Sequence, residues 1–257
     1  MGKTDAPIAV FDSGLGGVSV LREMIKVMPY EDMYYFGDSI NAPYGTKSLE
    51  QVRNLTISHV ERFMDMGAKG VVVACNTATS AAVRKLREMY PTLPLVGIEP
   101  AVKPAVERFP QGNILVMATP MTIREAKLHH LIQRFGGEAN VIPLACPGLM
   151  DFVEAGNIDS PEIYGFLRDV LEPYKGRLDG VVLGCTHYPF VRRAIVDILG
   201  ENVAIFDGGP GTSKEIKRRL DEAGLLRKDV QRTGQIIFEN SDNSQQKQDL
   251  FWKLLNY

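Results

Sequence analysis

The chain has 257 residues, of which 45% are hydrophobic and 23% are charged. This balance is that of a folded protein that stays in water, and it excludes a disordered or fibrous protein. The 29 basic and 31 acidic side chains leave a net charge of -2, which provides no broad positive field to attract nucleic acid or an anionic membrane. We therefore expect a small-molecule partner, and neither a membrane nor a nucleic acid.

The N-terminus and the cysteine content both predict a cytoplasmic protein. Residues 1–6 lack an apolar signal core, and no stretch of the sequence is long and apolar enough to span a bilayer. Three widely separated cysteines do not form the pattern of a disulfide framework, so we expect a reducing compartment. Each cysteine is then a packing residue, a metal ligand or a reactive thiol.

Short runs rich in Val and Ile alternate with helical stretches along the chain, which predicts an α/β fold with mainly parallel sheets flanked by helices. Continuous apolar runs suit strands that are buried on both faces. One helical segment has the apolar spacing of an amphipathic helix, at Leu128, Leu131, Ile132 and Phe135. The predicted strands are residues 7–12, 32–38, 70–75, 94–99, 113–119, 140–146, 179–185 and 202–208, and residues 235–241 are an additional candidate.

The sequence contains an internal repeat. Residues 70–85, GVVVACNTATSAAVRK, align without a gap to residues 180–195, GVVLGCTHYPFVRRAI, and both segments are a buried strand, a cysteine and a helix start. A weaker match aligns IAVFDS, from residue 8, with ILVMAT, from residue 114. A chance match of Val-rich strands is the alternative, but the shared spacing favours two related lobes. Because ligands bind at the carboxyl ends of parallel strands, we expect the active site in a cleft between the lobes.

Cys75 and Cys185 are the strongest candidates for chemistry. Each is predicted between a strand end and a helix start, where backbone N–H groups favour an anion and lower the pKa of a thiol from about 8.5. Either cysteine alone would suit packing, but two in matched positions favour reactive thiols. A zinc site at Cys185 and His187 is disfavoured, and so is a dithiol redox pair, because no C-x-x-C motif is present. His129 and His130 belong to a predicted helix.

The loop of residues 12–17, DSGLGG, follows the first strand and opens a helix. Its amides suit a carboxylate or a phosphate, and a simple tight turn is the alternative. The loop nearly matches the dinucleotide pattern G-x-G-x-x-G, with Asp38 where a ribose ligand is expected, but Ser19 replaces the last glycine. Asp12 would repel a pyrophosphate, and it is suited to pair with a substrate ammonium group.

Several polar segments each have two interpretations. Asn76-Thr77 and Thr186-His187 follow the two cysteines and suit either a substrate carboxylate or helix capping. The segment 43–45, Pro-Tyr-Gly, suits either a turn or an anion-binding backbone nest.

Other segments favour structural roles. Glu154 lies in a short helical segment and would ordinarily be a solvated surface carboxylate. Cys146 is expected to be a packing residue. The glycine-rich segment 208–213 lacks the Gly-Lys-Ser/Thr of a phosphate loop, so it is predicted to be a connector between the lobes.

Four segments together resemble the signature of glutamate racemases, which belong to the aspartate/glutamate racemase superfamily. They are FDSGLGG (11–17), APYG (42–45), ACNTAT (74–79) and GCTHYP (184–189), and in this order they span most of the chain. The resemblance implies a cofactor-independent homodimer that interconverts L- and D-glutamate and supplies D-glutamate for peptidoglycan, and with it cell-wall biogenesis and cell shape. It also implies a first lobe of residues 1–98 plus 209–257 and a second lobe of residues 99–208.

The resemblance also assigns roles to residues. One cysteine, as a thiolate, removes the α-proton and the other, as a thiol, protonates the opposite face, with Cys75 serving the D-enantiomer and Cys185 the L-enantiomer. The implied catalytic residues are Cys75, Cys185, Asp12, Glu154 and His187. The implied substrate contacts are Asp12, Ser13, Tyr44, Gly45, Asn76, Thr77, Thr186 and His187. No metal and no cofactor is expected.

The chemistry of the residues agrees with this resemblance. Removing a proton beside a carboxylate needs either a cofactor that accepts electrons or strong electrostatic support from the protein. A transfer between the two faces of one carbon needs a base on one face and an acid on the other, which two cysteine-bearing lobes provide. The alternatives are an aspartate or hydantoin racemase, a nucleotide-dependent oxidoreductase and a non-catalytic amino acid binding protein.

Overall fold

A computed structural model describes residues 3–257, which form two compact α/β units. Unit 1 contains the chain up to Glu99 together with Gly209–Tyr257, and unit 2 contains Pro100–Gly208. Among the described residues, unit 1 has a five-stranded sheet and unit 2 a four-stranded sheet, and all strand pairs are parallel. The predicted fold class, two units with parallel sheets flanked by helices, is confirmed.

The secondary structure alternates between strands and helices in both units. The strands are β1 (Ile8–Asp12), β2 (Met33–Gly37), β3 (Gly70–Val73), β4 (Leu95–Gly97), β5 (Asn113–Ala118), β6 (Asn140–Ala145), β7 (Gly180–Leu183), β8 (Ala204–Asp207) and β9 (Ile236–Asn240). The α-helices are α1 (Val18–Val27), α2 (Leu49–Asp65), α3 (Asn76–Met89), α4 (Val102–Arg108), α5 (Pro120–Arg124), α6 (Ala126–Phe135), α7 (Leu149–Glu154), α8 (Pro161–Leu171), α9 (Arg192–Leu199), α10 (Gly209–Glu222) and α11 (Gln245–Leu255). Short 3-10 helices occupy Ser39–Asn41, Tyr44–Thr46, Glu172–Tyr174 and Tyr188–Val191.

The two sheets have the same internal order. In unit 1, β1 lies between β2 and β3, and β4 follows β3; in unit 2, β5 lies between β6 and β7, and β8 follows β7. The registers also match, because Ile8 is opposite Gly70 as Ile114 is opposite Gly180. The duplication predicted from the sequence is therefore present in the topology, with β9 added at the edge of unit 1.

Hydrophobic burial accounts for the central strands. Every residue of β1 and β3 is buried, as is every residue of β7, and all three are inner strands of parallel sheets. Each fully buried Val, Ile or Leu side chain contributes roughly 1.5–3 kcal/mol relative to an exposed one. In unit 2, residues of α4 and α6 complete a core with the strands, including Val102, Ala105, Val116, Leu128 and Val182.

All nine predicted strands are present, but most of them end earlier than predicted. The parallel ladder stops at Val73 in unit 1 and at Leu183 in unit 2, two residues before each cysteine. Cys75 and Cys185 therefore lie in the segments that follow their strands. The backbone N–H groups of Ala74 and Gly184 make the last bonds to the neighbouring strand in both units, each at 2.7 Å.

The predicted amphipathic helix is confirmed as α6, although its apolar stripe is shallow. Leu128 is buried, whereas Leu131, Ile132 and Phe135 are only partly buried. The segment predicted as a connector, residues 208–213, does contain the passage from unit 2 to unit 1 at Gly208–Gly209, but Gly209–Ser213 belongs to α10. Within this turn, the Ser213 hydroxyl donates to the Gly209 carbonyl at 2.9 Å.

Within residues 3–257, no helix combines the length and the apolar character needed to cross a membrane.

Candidate active site

Cys75 is the N-cap of α3. Its backbone is extended, and its Sγ accepts a hydrogen bond from the Ala78 N–H at 3.5 Å. The residue is 6% exposed. Because the free N–H groups and the dipole of a 14-residue helix begin at this sulfur, the position stabilises a thiolate.

A chain of polar contacts joins Cys75 to the end of β1. The Ser13 hydroxyl lies 3.5 Å from the Cys75 Sγ and donates to the Asp12 Oδ1 at 3.3 Å. The Gly14 N–H also donates to that oxygen, at 3.0 Å, and Asp12 is fully buried. A Cβ at Gly17 would lie 2.7 Å from the Asp12 Cβ, so only glycine there allows this arrangement.

Asn76 and Thr77 are the first two residues of α3, and both are buried. Neither is the N-cap, because Cys75 has that position, so the capping role that Asn and Thr commonly fill is not theirs here. The buried Oδ1 of Asn76 has no hydrogen-bond donor among the described residues. An unsatisfied buried acceptor costs about 1–3 kcal/mol, so this oxygen favours a ligand that brings a donor.

Tyr44 and Gly45 lie in the 3-10 helix Tyr44–Thr46 of unit 1. The Tyr44 hydroxyl donates to the Asp38 Oδ2 at 2.6 Å. Burial raises the pKa of Tyr44 well above its usual value, and the negative charges of Asp38, Cys75 and Asp12 raise it further. Tyr44 is therefore a neutral hydrogen-bond donor held near the Cys75 cluster.

In unit 2, Cys185, His187 and Glu154 form a line of contacts. The Cys185 Sγ lies 3.5 Å from the His187 Nδ1, and the His187 Nε2 lies 2.8 Å from the Glu154 Oε1. Glu154 is the last residue of α7, and its side chain is only 13% exposed. The interpretation of Glu154 as a solvated surface carboxylate is therefore wrong, because its neighbour in space is a histidine 33 residues away in the sequence.

The His187 ring favours its protonated form. Burial lowers the pKa of His187, but hydrogen bonds and negative charge from Cys185 and Glu154 outweigh burial and raise this pKa well above its ordinary value. The His187 ring therefore places a positive charge 3.5 Å from the Cys185 Sγ, with the Glu154 carboxylate on its other side.

The segment after Cys185 differs from the segment after Cys75. A 3-10 helix, Tyr188–Val191, follows Cys185, and the α-helix α9 begins only at Arg192. Pro189 lacks an N–H group and prevents the regular first turn that α3 has. The expected helix start at Cys185 is thus a single tight turn, and His187 supplies the positive charge instead. Thr186, beside it, is buried.

Cys146 is buried beside the unit 2 cluster. Burial, together with the charge of Cys185, raises the pKa of Cys146 to about 12, so Cys146 stays a neutral thiol. The Tyr188 hydroxyl donates to the Cys146 carbonyl at 3.2 Å. Both observations agree with a packing role.

Two residues at these strand ends were not among the predicted site residues. Thr119 follows β5 in the register that Ser13 has after β1, and its hydroxyl lies 3.0 Å from that of Thr122. The weak match of IAVFDS with ILVMAT contained this signal. Asp38 follows β2, and the sequence associated it only with a nucleotide.

Among the described residues, no group of three or more His, Cys, Asp or Glu side chains is arranged to hold a metal ion.

Comparison with known proteins decides the family. A family model described as Asp/Glu/Hydantoin racemase matches residues 15–212. The chain belongs to this racemase family. It is 47% identical to a glutamate racemase from Clostridium perfringens (strain SM101 / Type A), over 98% of this chain and 96% of that protein. The predicted amino acid racemase and its resemblance to glutamate racemases are confirmed.

Two solved structures show the same fold in related enzymes. A glutamate racemase isoform from Bacillus anthracis superposes with a TM-score of 0.89 at 30% identity, covering 99% of this chain and 95% of that one. A glutamate racemase from Francisella tularensis in complex with D-glutamate superposes with a TM-score of 0.84 at 26% identity, covering 99% and 95%.

Proposed function

We propose that this enzyme interconverts L- and D-glutamate without a cofactor, using Cys75 and Cys185 as a pair of acid and base groups. The observation behind this proposal is the duplication, in which both thiols follow equivalent strands in the same register. Each thiol has its own stabilising environment, hydroxyl and amide groups at Cys75 and an imidazole with a carboxylate at Cys185. The 47% identity to a glutamate racemase supports glutamate as the substrate.

The reaction moves one proton at each face of the α-carbon. In the L-to-D direction, the Cys185 thiolate takes the α-proton and becomes a thiol, while the Cys75 thiol gives its proton to the opposite face and becomes a thiolate. The reverse reaction exchanges these roles, and each turnover leaves the enzyme in the protonation state that the other enantiomer needs. In this mechanism Asp12 assists Cys75 through Ser13, and Glu154 assists Cys185 through His187.

Polar groups around each thiol are suited to the charged ends of an amino acid. The unsatisfied Asn76 Oδ1 and the Asp12 carboxylate suit the substrate ammonium group. Hydroxyl and amide hydrogen-bond donors suit the two carboxylates of the substrate. The partial positive charges of these donors also stabilise the carbanion that develops at the α-carbon. We assign the donor roles to Ser13, Tyr44, Gly45, Thr77, Thr186 and His187.

Isotope exchange tests the mechanism. L-Glutamate is incubated in heavy water, and both enantiomers are separated at low conversion and analysed by mass. We expect the D-product to carry deuterium at the α-carbon and the recovered L-substrate to stay protiated, because different groups act on the two faces. D-product that retains the original proton would indicate a single base and contradict the proposal. The Cys146→Ser variant serves as a control with the wild-type pattern.

Substrate choice separates this proposal from an aspartate or hydantoin racemase of the same family. One methylene group in a fitted pocket changes kcat/KM by on the order of 10–200-fold. We expect kcat/KM for L-glutamate to exceed that for L-aspartate by this margin. Equal values, or a preference for aspartate, would contradict the glutamate assignment.

We further propose a cytoplasmic homodimer that supplies D-glutamate for peptidoglycan synthesis. Expression of the chain in a bacterium that requires added D-glutamate tests the role, and growth without the supplement is the expected result. Sedimentation velocity of the purified enzyme tests the assembly, and a single species with the mass of one chain, 28.5 kDa, would contradict a dimer.

A further inference from the structure

Asp38 is a fully buried carboxylate that directly follows β2. Its oxygens contact three side chains from different segments. The Asn41 Nδ2 donates to both oxygens, at 3.0 and 3.1 Å, and the Tyr44 hydroxyl donates at 2.6 Å. The His59 Nε2, from α2, lies 3.1 Å from the same Oδ2. One carboxylate thus joins two successive 3-10 turns and a helix to the end of the sheet.

The backbone of Asp38 links this cluster to the Cys75 site. The Asp38 N–H donates to the Asp12 carbonyl at 3.0 Å, and Asp12 precedes Ser13, whose hydroxyl contacts the Cys75 Sγ. Tyr44 is close enough to Cys75 and Asp12 that their charges raise its pKa. The Asp38 carboxylate therefore directly contacts Tyr44, one of the groups assigned to substrate binding.

The contacts keep Asp38 ionised. Burial raises the pKa of Asp38, but hydrogen bonds from His59, Tyr44 and Asn41 outweigh burial and lower it to about 2. An ionised carboxylate accepts from several donors at once, which a neutral amide of the same shape does not. The charge thus fixes the orientation of the Tyr44 ring.

We propose that Asp38 is a positioning residue, which holds the Tyr44–Gly45 turn in the geometry that binds the substrate. Asp38 acts through Tyr44 and does not touch the reacting atoms. The inference rests on the proposed function, because it concerns the affinity of that site for glutamate. It assigns a role to the aspartate that the sequence connected only with a nucleotide.

A second buried carboxylate provides a matched control. Glu31 precedes β2, whereas Asp38 follows it, so the two lie at opposite ends of one strand. Glu31 contacts the Lys69 ammonium group and accepts from the backbone N–H of Arg227 at 2.7 Å. Both carboxylates are buried and hydrogen-bonded, but only Asp38 contacts the Tyr44 turn.

The experiment compares Asp38→Asn, Tyr44→Phe, the double variant and Glu31→Gln in the full-length enzyme. We expect Asp38→Asn and Tyr44→Phe each to raise KM for L-glutamate about tenfold while kcat changes less than about threefold, because charge-assisted hydrogen bonds hold the binding turn but not the thiols. The double variant should be no worse than either single variant. Hydrogen exchange at residues 39–47 should increase in Asp38→Asn and stay unchanged in Glu31→Gln.

Several results would overturn the inference. These are an unchanged KM in Asp38→Asn, additive effects in the double variant, or the same KM increase in Glu31→Gln. If Asp38→Asn does not fold, Tyr44→Phe removes a single donor and tests the same contact. Absence of glutamate racemisation by the unaltered enzyme would contradict the proposed function instead, so the two failures are distinguishable.

Discussion

The two cysteines occupy equivalent backbone positions but have different chemical surroundings. Cys75 contacts neutral groups, the Ser13 hydroxyl and the Ala78 N–H, at the start of a long helix. Cys185 contacts a histidine whose other nitrogen contacts the Glu154 carboxylate. The start of a helix lies at one sulfur, and a charged side chain lies beside the other.

The different surroundings of Cys75 and Cys185 show that the backbone of the duplicated site is retained while the side chains around each sulfur differ. The strands, their register and the last backbone bonds are the same in both units, because they set where each sulfur lies. The positive charge near the sulfur differs in its source, which is the start of α3 in unit 1 and the His187 ring in unit 2. Pro189 breaks the helix start in unit 2, and His187 compensates for it.

The largest expected effect comes from removing either thiol. Cys75→Ser and Cys185→Ser should each reduce kcat by roughly 10³-fold or more, because a serine hydroxyl is far less acidic than a thiol. Cys146→Ser is the matched control, and its kcat should stay within about twofold, since Cys146 remains neutral. Substantial racemisation by a folded Cys75→Ser or Cys185→Ser variant would contradict the two-thiol mechanism.

A smaller effect should follow from Glu154→Gln, which removes the charge behind His187. We expect kcat/KM to fall about 10- to 100-fold, and by the same factor for both enantiomers because their equilibrium constant is one. The deuterium isotope effect on kcat should increase more with α-deuterated L-glutamate than with the D-form, since Cys185 removes that proton. Glu107→Gln, on the exposed face of α4, is the control. Equal increases for both enantiomers would contradict the assignment of faces.

The pH profile of kcat/KM should be bell-shaped, since one thiol must be ionised and the other protonated. Its two apparent pKa values belong to the coupled site and not to single residues. Glu154→Gln should shift the profile, because it removes a negative charge from the unit 2 cluster. A profile that rises to a plateau and never falls would contradict a cysteine pair.

The stabilities of the two units should respond to pH in opposite directions. The lowered pKa of Asp38, from 3.8 to about 2, contributes about 2 kcal/mol to unit 1 above pH 4, and this is lost as the pH falls toward 2. The raised pKa of His187 stabilises unit 2 below pH 6.5, and this contribution is lost as the pH rises through the raised value.

Urea unfolding measures this contrast. Trp252 is the single tryptophan and lies in unit 1, so its fluorescence reports on that unit, whereas circular dichroism reports on both. Asp38→Asn should reduce the acid sensitivity seen by fluorescence, and His187→Gln should reduce the alkaline sensitivity seen only by circular dichroism. If the urea midpoint measured by Trp252 fluorescence falls at alkaline pH, and His187→Gln abolishes that fall, the assignment of the His187 contribution to unit 2 would be contradicted.

The smallest effects concern two glycines. Gly17→Ala should destabilise unit 1 by about 1–3 kcal/mol and lower activity, because the new methyl group would lie 2.7 Å from the Asp12 Cβ. Gly165→Ala, in α8 with no atom near its Cβ position, should stabilise unit 2 by about 0.5–1 kcal/mol without changing activity. Thermal unfolding and initial rates measure both effects, and an active, fully stable Gly17→Ala variant would contradict the constraint on Asp12.

Local sequence determined much of this protein. Short apolar runs that alternate with helical stretches indicate strands, so the nine strands and the duplication could be predicted from the order of residues. Cys75 and Cys185 could be selected because each follows such a run in the same context. The resemblance to glutamate racemases used the same short motifs.

Tertiary structure decided which side chains meet at the strand ends. Glu154 contacts a histidine 33 residues away, and Asp38 contacts a histidine 21 residues away, and no local pattern encodes either distance. Glu154 looked like a surface carboxylate, because burial depends on the elements packed around it. Strand identity follows from the periodicity of a few neighbouring residues, whereas a site depends on register and packing between distant segments.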